Sequence, residues 1–270
     1  MRPAHSLRAM LPPPPLATTL PLWLRQRSRR WPEATALVEG LCGSRYSYAA
    51  LDHLVGRCAA GLMAQGFKPG DVLLMLAPNV PEWPIVALAA WVAGGTVCGA
   101  DPACRDDELG HQLRSLGVRH AFTTPALLPR LRARVTAADP LRLIVPGEAE
   151  GTVSFTTLLA CADDEPRPHS GLHSLAWVGA RRRGSRQALR LTHGQLLLQV
   201  AARERELPLS GSDITLSLQP MGLASGFVRG ALAPLAQGAA VVTLASFDAD
   251  AVAQALGRHR VTRLLLGASP

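Results

Sequence analysis

Residues 66–76 read Gly66-Phe67-Lys68-Pro69-Gly70-Asp71-Val72-Leu73-Leu74-Met75-Leu76, and this stretch joins a helical pattern on one side to a strand pattern on the other. Upstream, Leu51, Leu54, Val55, Cys58, Ala59, Leu62 and Met63 recur at the i, i+3, i+4, i+7 spacing of a helix with one buried face. The spacing predicts a helix from Tyr48 that stops at Gly66, where a glycine just past the last turn suits a left-handed backbone. Downstream, the apolar run Val72 to Leu76 has the character of a parallel strand buried on both faces. A second unit repeats this logic: Pro81 and Glu82 sit at a helix start, Ile85 to Val92 form its apolar body, Gly94-Gly95 end it, and Thr96 to Ala100 read as a strand. Trp83 to Ala100 carries no charge, but its central glycine pair and β-like second half indicate a helix turning into a strand and not a membrane span.

Working outward, the alternation continues with a helix at 107–116, a strand at 118–123, a helix at 126–135 and a strand at 141–145. From Pro146 to Ser170 the pattern weakens into a Gly-, Pro- and acid-rich connection. Strands then follow at 175–179, 214–218, 240–244 and 261–266, with helices from Thr192 to about Glu206, after Ser225, and from Asp248 to His259. The expected class is α/β, with largely parallel sheets flanked by helices. The expected organisation is a disordered tail over residues 1–16, a first α/β subdomain over 17–150, a connection over 151–171 and a second subdomain over 172–270. Leu264 to Leu266 look like a core strand with nothing after them to cover the sheet edge, so the second subdomain is expected to be truncated.

Composition narrows the function classes. The chain has 270 residues, is 48% hydrophobic and carries a formal charge of +8, which suits a folded chain and not a disordered one. Lys68 is the only lysine among 28 cationic side chains. Apart from Arg27, Arg29 and Arg30 and the run Arg181 to Arg183, the arginines are scattered, which argues against a phosphate-tracking stripe and hence against nucleic acid. Cys42, Cys58, Cys98, Cys104 and Cys161 form no Cys-x-x-Cys pair and no zinc-like spacing with histidine, so neither a disulfide frame nor a metal site is expected. Free thiols fit a reducing, cytoplasmic compartment. The Arg-rich start could suggest organelle targeting, but Pro12 to Pro15 disrupt any amphipathic helix there.

An ordered set of segments resembles the N-terminal region of the adenylate-forming superfamily, in its acyl-CoA synthetase and 4-coumarate–CoA ligase branch. These are Trp31 to Val38, Tyr46 to Leu51, Gly66 to Val72, Pro78 to Trp83, Ala93-Gly94-Gly95, Asp101-Pro102 with Glu108-Leu109, Leu191-Thr192-His193, Ser246-Phe247-Asp248 and Val261-Thr262. The resemblance implies activation of a carboxylic acid by ATP with Mg²⁺ to an acyl-adenylate and pyrophosphate, followed by acyl transfer to coenzyme A. It also implies a Ser/Thr/Gly-rich loop, closed by a Lys-Gly pair, that wraps the phosphates just before a Thr-His step. Glycines there permit close backbone approach, hydroxyls donate and the lysine neutralises charge.

Counting back from Thr192-His193, the corresponding residues are 179–188. Gly184 keeps the glycine, whereas Arg182 and Arg183 take hydroxyl positions and Gln187 takes the lysine position. Losing one charge-stabilising donor typically costs about 10²–10³ in rate, so the resemblance with these departures implies weak or absent catalysis, and no catalytic residue is assigned. The candidate nucleotide contacts are Arg181, Arg182, Arg183, Gly184, Ser185, Thr192 and His193; guanidinium groups could still pair with phosphate, while a solvated basic turn needs no ligand. His193 lacks an identifiable carboxylate partner, and Thr192 suits a helix N-cap. The family's Pro-x-x-His-x-x-Gly stretch, whose aromatic and histidine residues border the acyl pocket, reads Pro220 to Gly226 here, with Leu223 at the histidine position. Met221, Leu223, Gly226 and Phe227 are the candidate acyl contacts, with ordinary helix packing as the competing reading. Two other functions stay open: a non-catalytic protein that holds an acyl ligand or a partner protein, and an Arg-rich nucleic-acid binder. Oligomeric state and the identity of the acid are not legible.

Overall fold

A computed structural model describes residues 18–134, 140–160, 171–180, 188–245 and 247–266. The predicted α/β class is present, as two mostly parallel sheets with helices on their faces. The predicted helix is α2, Tyr48–Ala64, with Ser47 capping its start by accepting from the Ala50 amide at 3.1 Å. Gly66 follows it at φ +88°, the backbone region that glycine enters without strain. The apolar run forms strand β3, Val72–Leu76.

β3 lies in the middle of a seven-stranded sheet with β4 (Thr96–Gly99), β5 (His120–Thr123), β6 (Arg142–Val145), β7 (Val153–Ser154), β8 (Leu175–Ala180) and β9 (Ala188–Thr192). Its order is β7-β6-β5-β3-β4-β8-β9, and only β9 runs antiparallel to its neighbour. Alternate residues of β3 face two different cores, as strand geometry requires. Leu74 and Leu76 pack with Leu109, Leu128 and Leu131, which come from α4 (Asp106–Ser115) and α5 (Leu128–Arg132). Leu73 and Met75 face the main core.

That core fills the space between this sheet and a second one. The second sheet has the order β12-β10-β11-β1-β2, built from β1 (Thr35–Glu39), β2 (Arg45–Ser47), β10 (Ile214–Ser217), β11 (Ala240–Thr243) and β12 (Arg263–Leu265). Its inward residues Leu37 and Val241 share the main core with α1 (Leu20–Ser28), α2, α3 (Glu82–Val92) and α7 (His193–Glu206). Every residue of α3 from Trp83 to Val92 is buried, which explains why its pattern is apolar all round. The outer face of the second sheet is covered by α10 (Ala249–His259).

Several elements differ in detail from the expectation. The described residues of the connection 151–171 hold β7 and α6, Phe155–Leu159. α6 rests on α2 at Gly61, where a Cβ would come within 2.2 Å of the Leu158 carbonyl oxygen. α5 is shorter than predicted, and the helix expected after Ser225 starts at Ala224 and runs through α8 (Ala224–Phe227), a π turn (Val228–Leu232) and α9 (Ala233–Ala236). Sheet membership also crosses the predicted division: β1 and β2 join β10 to β12, while β8 and β9 join β3 to β7. Arg27, part of a predicted basic cluster, is buried on α1, pairs with Glu204 at 2.7 Å and lies 4.4 Å over the Trp23 ring. The tail 1–16 lies outside the described residues, as do Cys161 and Ser246.

Candidate functional site

β8 and β9 are paired antiparallel, with Gly179 opposite Leu189 and Ala180 opposite Ala188. They frame residues 181–187, so the candidate contacts Arg181, Arg182, Arg183, Gly184 and Ser185 lie outside the described residues, together with Gln187. The hairpin leads directly into α7. Thr192 is its N-cap and forms a capping box: its Oγ1 accepts from the Gln195 amide at 3.2 Å, and its own amide donates to Gln195 Oε1 at 2.9 Å. The His193 amide donates to Ser174 O at 3.1 Å and the Gly194 amide to Leu172 O at 2.9 Å. A helix start binds anions through free amides; here the first three helical amides already have protein acceptors.

His193 points inward, 0% exposed. Its ring meets Trp91 edge-on, with centroids 5.7 Å apart and planes at 74°. Neither ring nitrogen has a hydrogen-bond partner among the described residues. Burial pulls its pKa down to about 4, because the interior disfavours the imidazolium. The ring is therefore neutral at pH 7, and with no partner on either nitrogen it is not placed as a general base.

The second candidate group follows β10. Asn79, fully enclosed, holds this segment from the side: its Nδ2 donates to Gln219 O at 2.9 Å and its Oδ1 accepts from the Met221 amide at 2.8 Å. Gly226 closes the bend, since a Cβ there would come within 2.0 Å of the Pro220 carbonyl oxygen. Met221, Gly226 and Phe227 are buried and Leu223 is half-buried. Phe227 belongs to a knot of rings: Trp83 at 4.6 Å, Trp91 at 5.8 Å and Trp177 at 6.0 Å. Trp91 thus touches both His193 and Phe227, so the two candidate groups meet through one indole. The Trp91 Nε1 donates to Ala176 O at 2.7 Å.

Sequence reasoning gave no site role to Trp91 or Trp177, and read Asn79 and Trp83 only as part of the family-like segment 78–83. The tryptophans fall within apolar runs and read as ordinary core; Asn79 stands alone among prolines, a polar residue whose reason appears only in three dimensions. Among the described residues no group of three or more His, Cys, Asp or Glu is placed to hold a metal ion. Among the described residues there is thus no acidic set for Mg²⁺, and the first three amides of α7 are already taken by protein acceptors. A separate, largely apolar cleft lined by Pro21, Leu24, Tyr48, Leu51, Val92 and Leu235 shares none of the candidate residues. No helix of the described residues is long and apolar enough to cross a membrane.

Residues 24–177 match the family of AMP-binding enzymes, and the chain belongs to that family. Among curated proteins it is 27% identical to 4-coumarate–CoA ligase 3 of Oryza sativa, over 84% of this chain and 42% of that one. It is 27% identical to the medium-chain fatty-acid–CoA ligase of Escherichia coli, over 91% and 45%, and 30% identical to a feruloyl-CoA synthase of Amycolatopsis, over 89% and 47%. The chain thus spans about half the length of the curated relatives it matches. The fold is likewise that of the N-terminal domain of adenylate-forming enzymes. The apo structure of MbtA from Mycobacterium smegmatis superposes with a TM-score of 0.83 at 24% identity, covering 92% of this chain and 47% of that one. A benzoate CoA ligase from Burkholderia xenovorans gives a TM-score of 0.82 at 21% identity, covering 92% and 50%.

Proposed function

We propose that this chain is the N-terminal region of an acyl-CoA synthetase-like protein and that by itself it catalyses carboxylate adenylation weakly or not at all. In the reaction of this reading, a carboxylate oxygen attacks the α-phosphorus of ATP and the bond to pyrophosphate breaks. Coenzyme A thiolate then takes the acyl group and releases AMP. The protein must stabilise charge on the departing pyrophosphate, and preorganised donors supply that stabilisation. The observation that carries the reading is the replacement of loop hydroxyls and lysine by Arg182, Arg183 and Gln187, next to a helix whose first amides are satisfied by the protein itself.

Relatives named for fatty acids, 4-coumarate and ferulate make an apolar or aryl carboxylic acid the substrate class of the ancestral site. Residues 220–227 are read as bordering it, with Met221, Leu223, Gly226 and Phe227 as its contacts. ATP with Mg²⁺ and coenzyme A are the co-substrates in the same reading. The free thiols of Cys42, Cys58, Cys98 and Cys104 support a reducing compartment such as the cytoplasm. The test is ATP–pyrophosphate exchange with Mg²⁺ and octanoate, 4-coumarate or ferulate. Exchange at the no-protein background is expected, and rapid turnover with any of the three would overturn the reading. A non-catalytic acyl holder is the second reading, favoured by the retained Pro220 and Gly226 frame around a substituted Leu223.

A further inference from the structure

Trp177 lies on β8, two residues before Gly179, and its indole is fully buried. A Cβ on Gly99 would come within 2.2 Å of Trp177 Cζ2 and 2.4 Å of the Gly222 carbonyl oxygen; one on Gly179 would meet Gly99 O at 2.8 Å and Trp177 Nε1 at 3.1 Å. The benzo edge of the indole therefore rests on the bare backbone of Gly99, in the seam between β4 and the segment that carries Gly222. The ring stacks on Phe227, with planes at 29°, and lies 6.1 Å from Trp83.

The fit has a cost. Among the described residues the buried Nε1 groups of Trp177 and Trp83 have no acceptor, and a buried donor without a partner is destabilising. A phenylalanine would carry no such donor but would leave part of this space empty, so the indole is kept for the volume it fills.

We propose that Trp177 is a plug: its ring fills the space between Gly99, Gly222 and Phe227 and bars an acyl group from residues 220–227, so that shortening it creates a site for an aryl carboxylate. The inference rests on the reading that residues 220–227 border the ancestral acyl site. A plug and a filler of a sealed core predict different ligands. A sealed apolar cavity takes neutral apolar molecules but rejects a carboxylate, because an unpaired charge is costly to bury. The plug requires that the site opened by shortening Trp177 leave the carboxylate in contact with solvent.

The experiment is calorimetric titration of wild type, Trp177→Ala and the milder Trp177→Leu with benzoate and with indole, without nucleotide, and with Trp91→Ala as control. Wild type is expected to bind neither. Trp177→Ala is expected to bind benzoate at least tenfold tighter than the weakest affinity the titration detects, Trp177→Leu is expected to bind it more weakly than Trp177→Ala but detectably, and Trp91→Ala is expected to show no gain for benzoate. Indole uptake without benzoate uptake in Trp177→Ala overturns the plug, as does benzoate binding by wild type. If Trp177→Ala does not fold, a folded Trp177→Leu with no gain for benzoate also overturns it. The two readings fail separately. Benzoate binding by an exchange-inactive wild type sinks the plug alone, whereas pyrophosphate exchange that appears only in Trp177→Ala sinks the inactive-loop reading and supports the plug.

Discussion

The segments 48–100 and 175–227 each build two strands into the same seven-stranded sheet and share one core, yet on the proposed reading they differ in how they keep the family pattern. In 48–100 the residues that resemble the family are those that make the architecture: Ser47 caps α2, Gly66 ends it, Asn79 clamps its neighbour and α3 is buried throughout. In 175–227 the described residues keep a capping box at Thr192 and a tight bend at Gly226, while on the proposed reading the positions that serve chemistry carry Arg182, Arg183, Gln187 and Leu223. Fold and function are separable because packing depends on where glycines, caps and apolar faces fall, whereas catalysis depends on a few donors that packing does not need.

If the frame of 175–227 is as demanding as that of 48–100, Gly226→Ala should be severely destabilising, by about 3 kcal/mol or more, since its Cβ would collide with the Pro220 carbonyl oxygen. Thermal unfolding measures this, and a variant that melts with wild type would show the bend to be adaptable. Next in size is Asn79→Ala, which strips partners from the Gln219 carbonyl and the Met221 amide at once. A loss of roughly 2–4 kcal/mol in urea unfolding is expected, and a loss under 1 kcal/mol would mean the two regions are not joined there.

His193 gives a pH-dependent contrast. Its folded pKa of about 4 lies below the unfolded value, so the unfolded state binds the proton more readily. Its stabilising contribution is complete above the unfolded pKa of about 6.5 and is lost as pH falls toward the folded value. Urea midpoints should therefore fall between pH 7 and pH 4, by roughly 1–3 kcal/mol from this group, and His193→Phe should flatten that part of the profile. An unchanged slope would remove His193 as its source. The smallest effect is at the caps: Ser47→Ala and Thr192→Ala should each cost about 1 kcal/mol. Equal losses would show that both regions keep their helix starts under the same constraint, and a negligible loss at Thr192 would show that Gln195 no longer needs it.

Much of the architecture was legible because its cues are local. α2, β3, α3 and β4 announce themselves through apolar period and flanking glycines. α1 was hidden by Arg25, Arg27 and an early proline; Arg27 is buried only because Glu204, distant in sequence, pairs with it. β2 is three residues long, and β9 mixes Arg190 with leucines under partial exposure, so neither shows a clean alternation. α6 is explained by the bare Cα of Gly61 on another helix. Within the candidate site, the Thr192 cap could be read directly. The meaning of Trp177 could not, because Gly99 and Gly222, which accommodate its ring, stand far away along the chain.

The interleaving of the two sheets bears on how the chain is made. Val38 on β1 accepts from Thr243 Oγ1 across a separation of 205 residues, and β1 has its parallel neighbour only in β11. During synthesis β1 emerges long before that neighbour exists, so the five-stranded sheet closes late, after a large loop has been brought together. Until then Leu37 and Val38 remain an uncovered sticky edge, and chaperone demand during translation should concentrate on that interval.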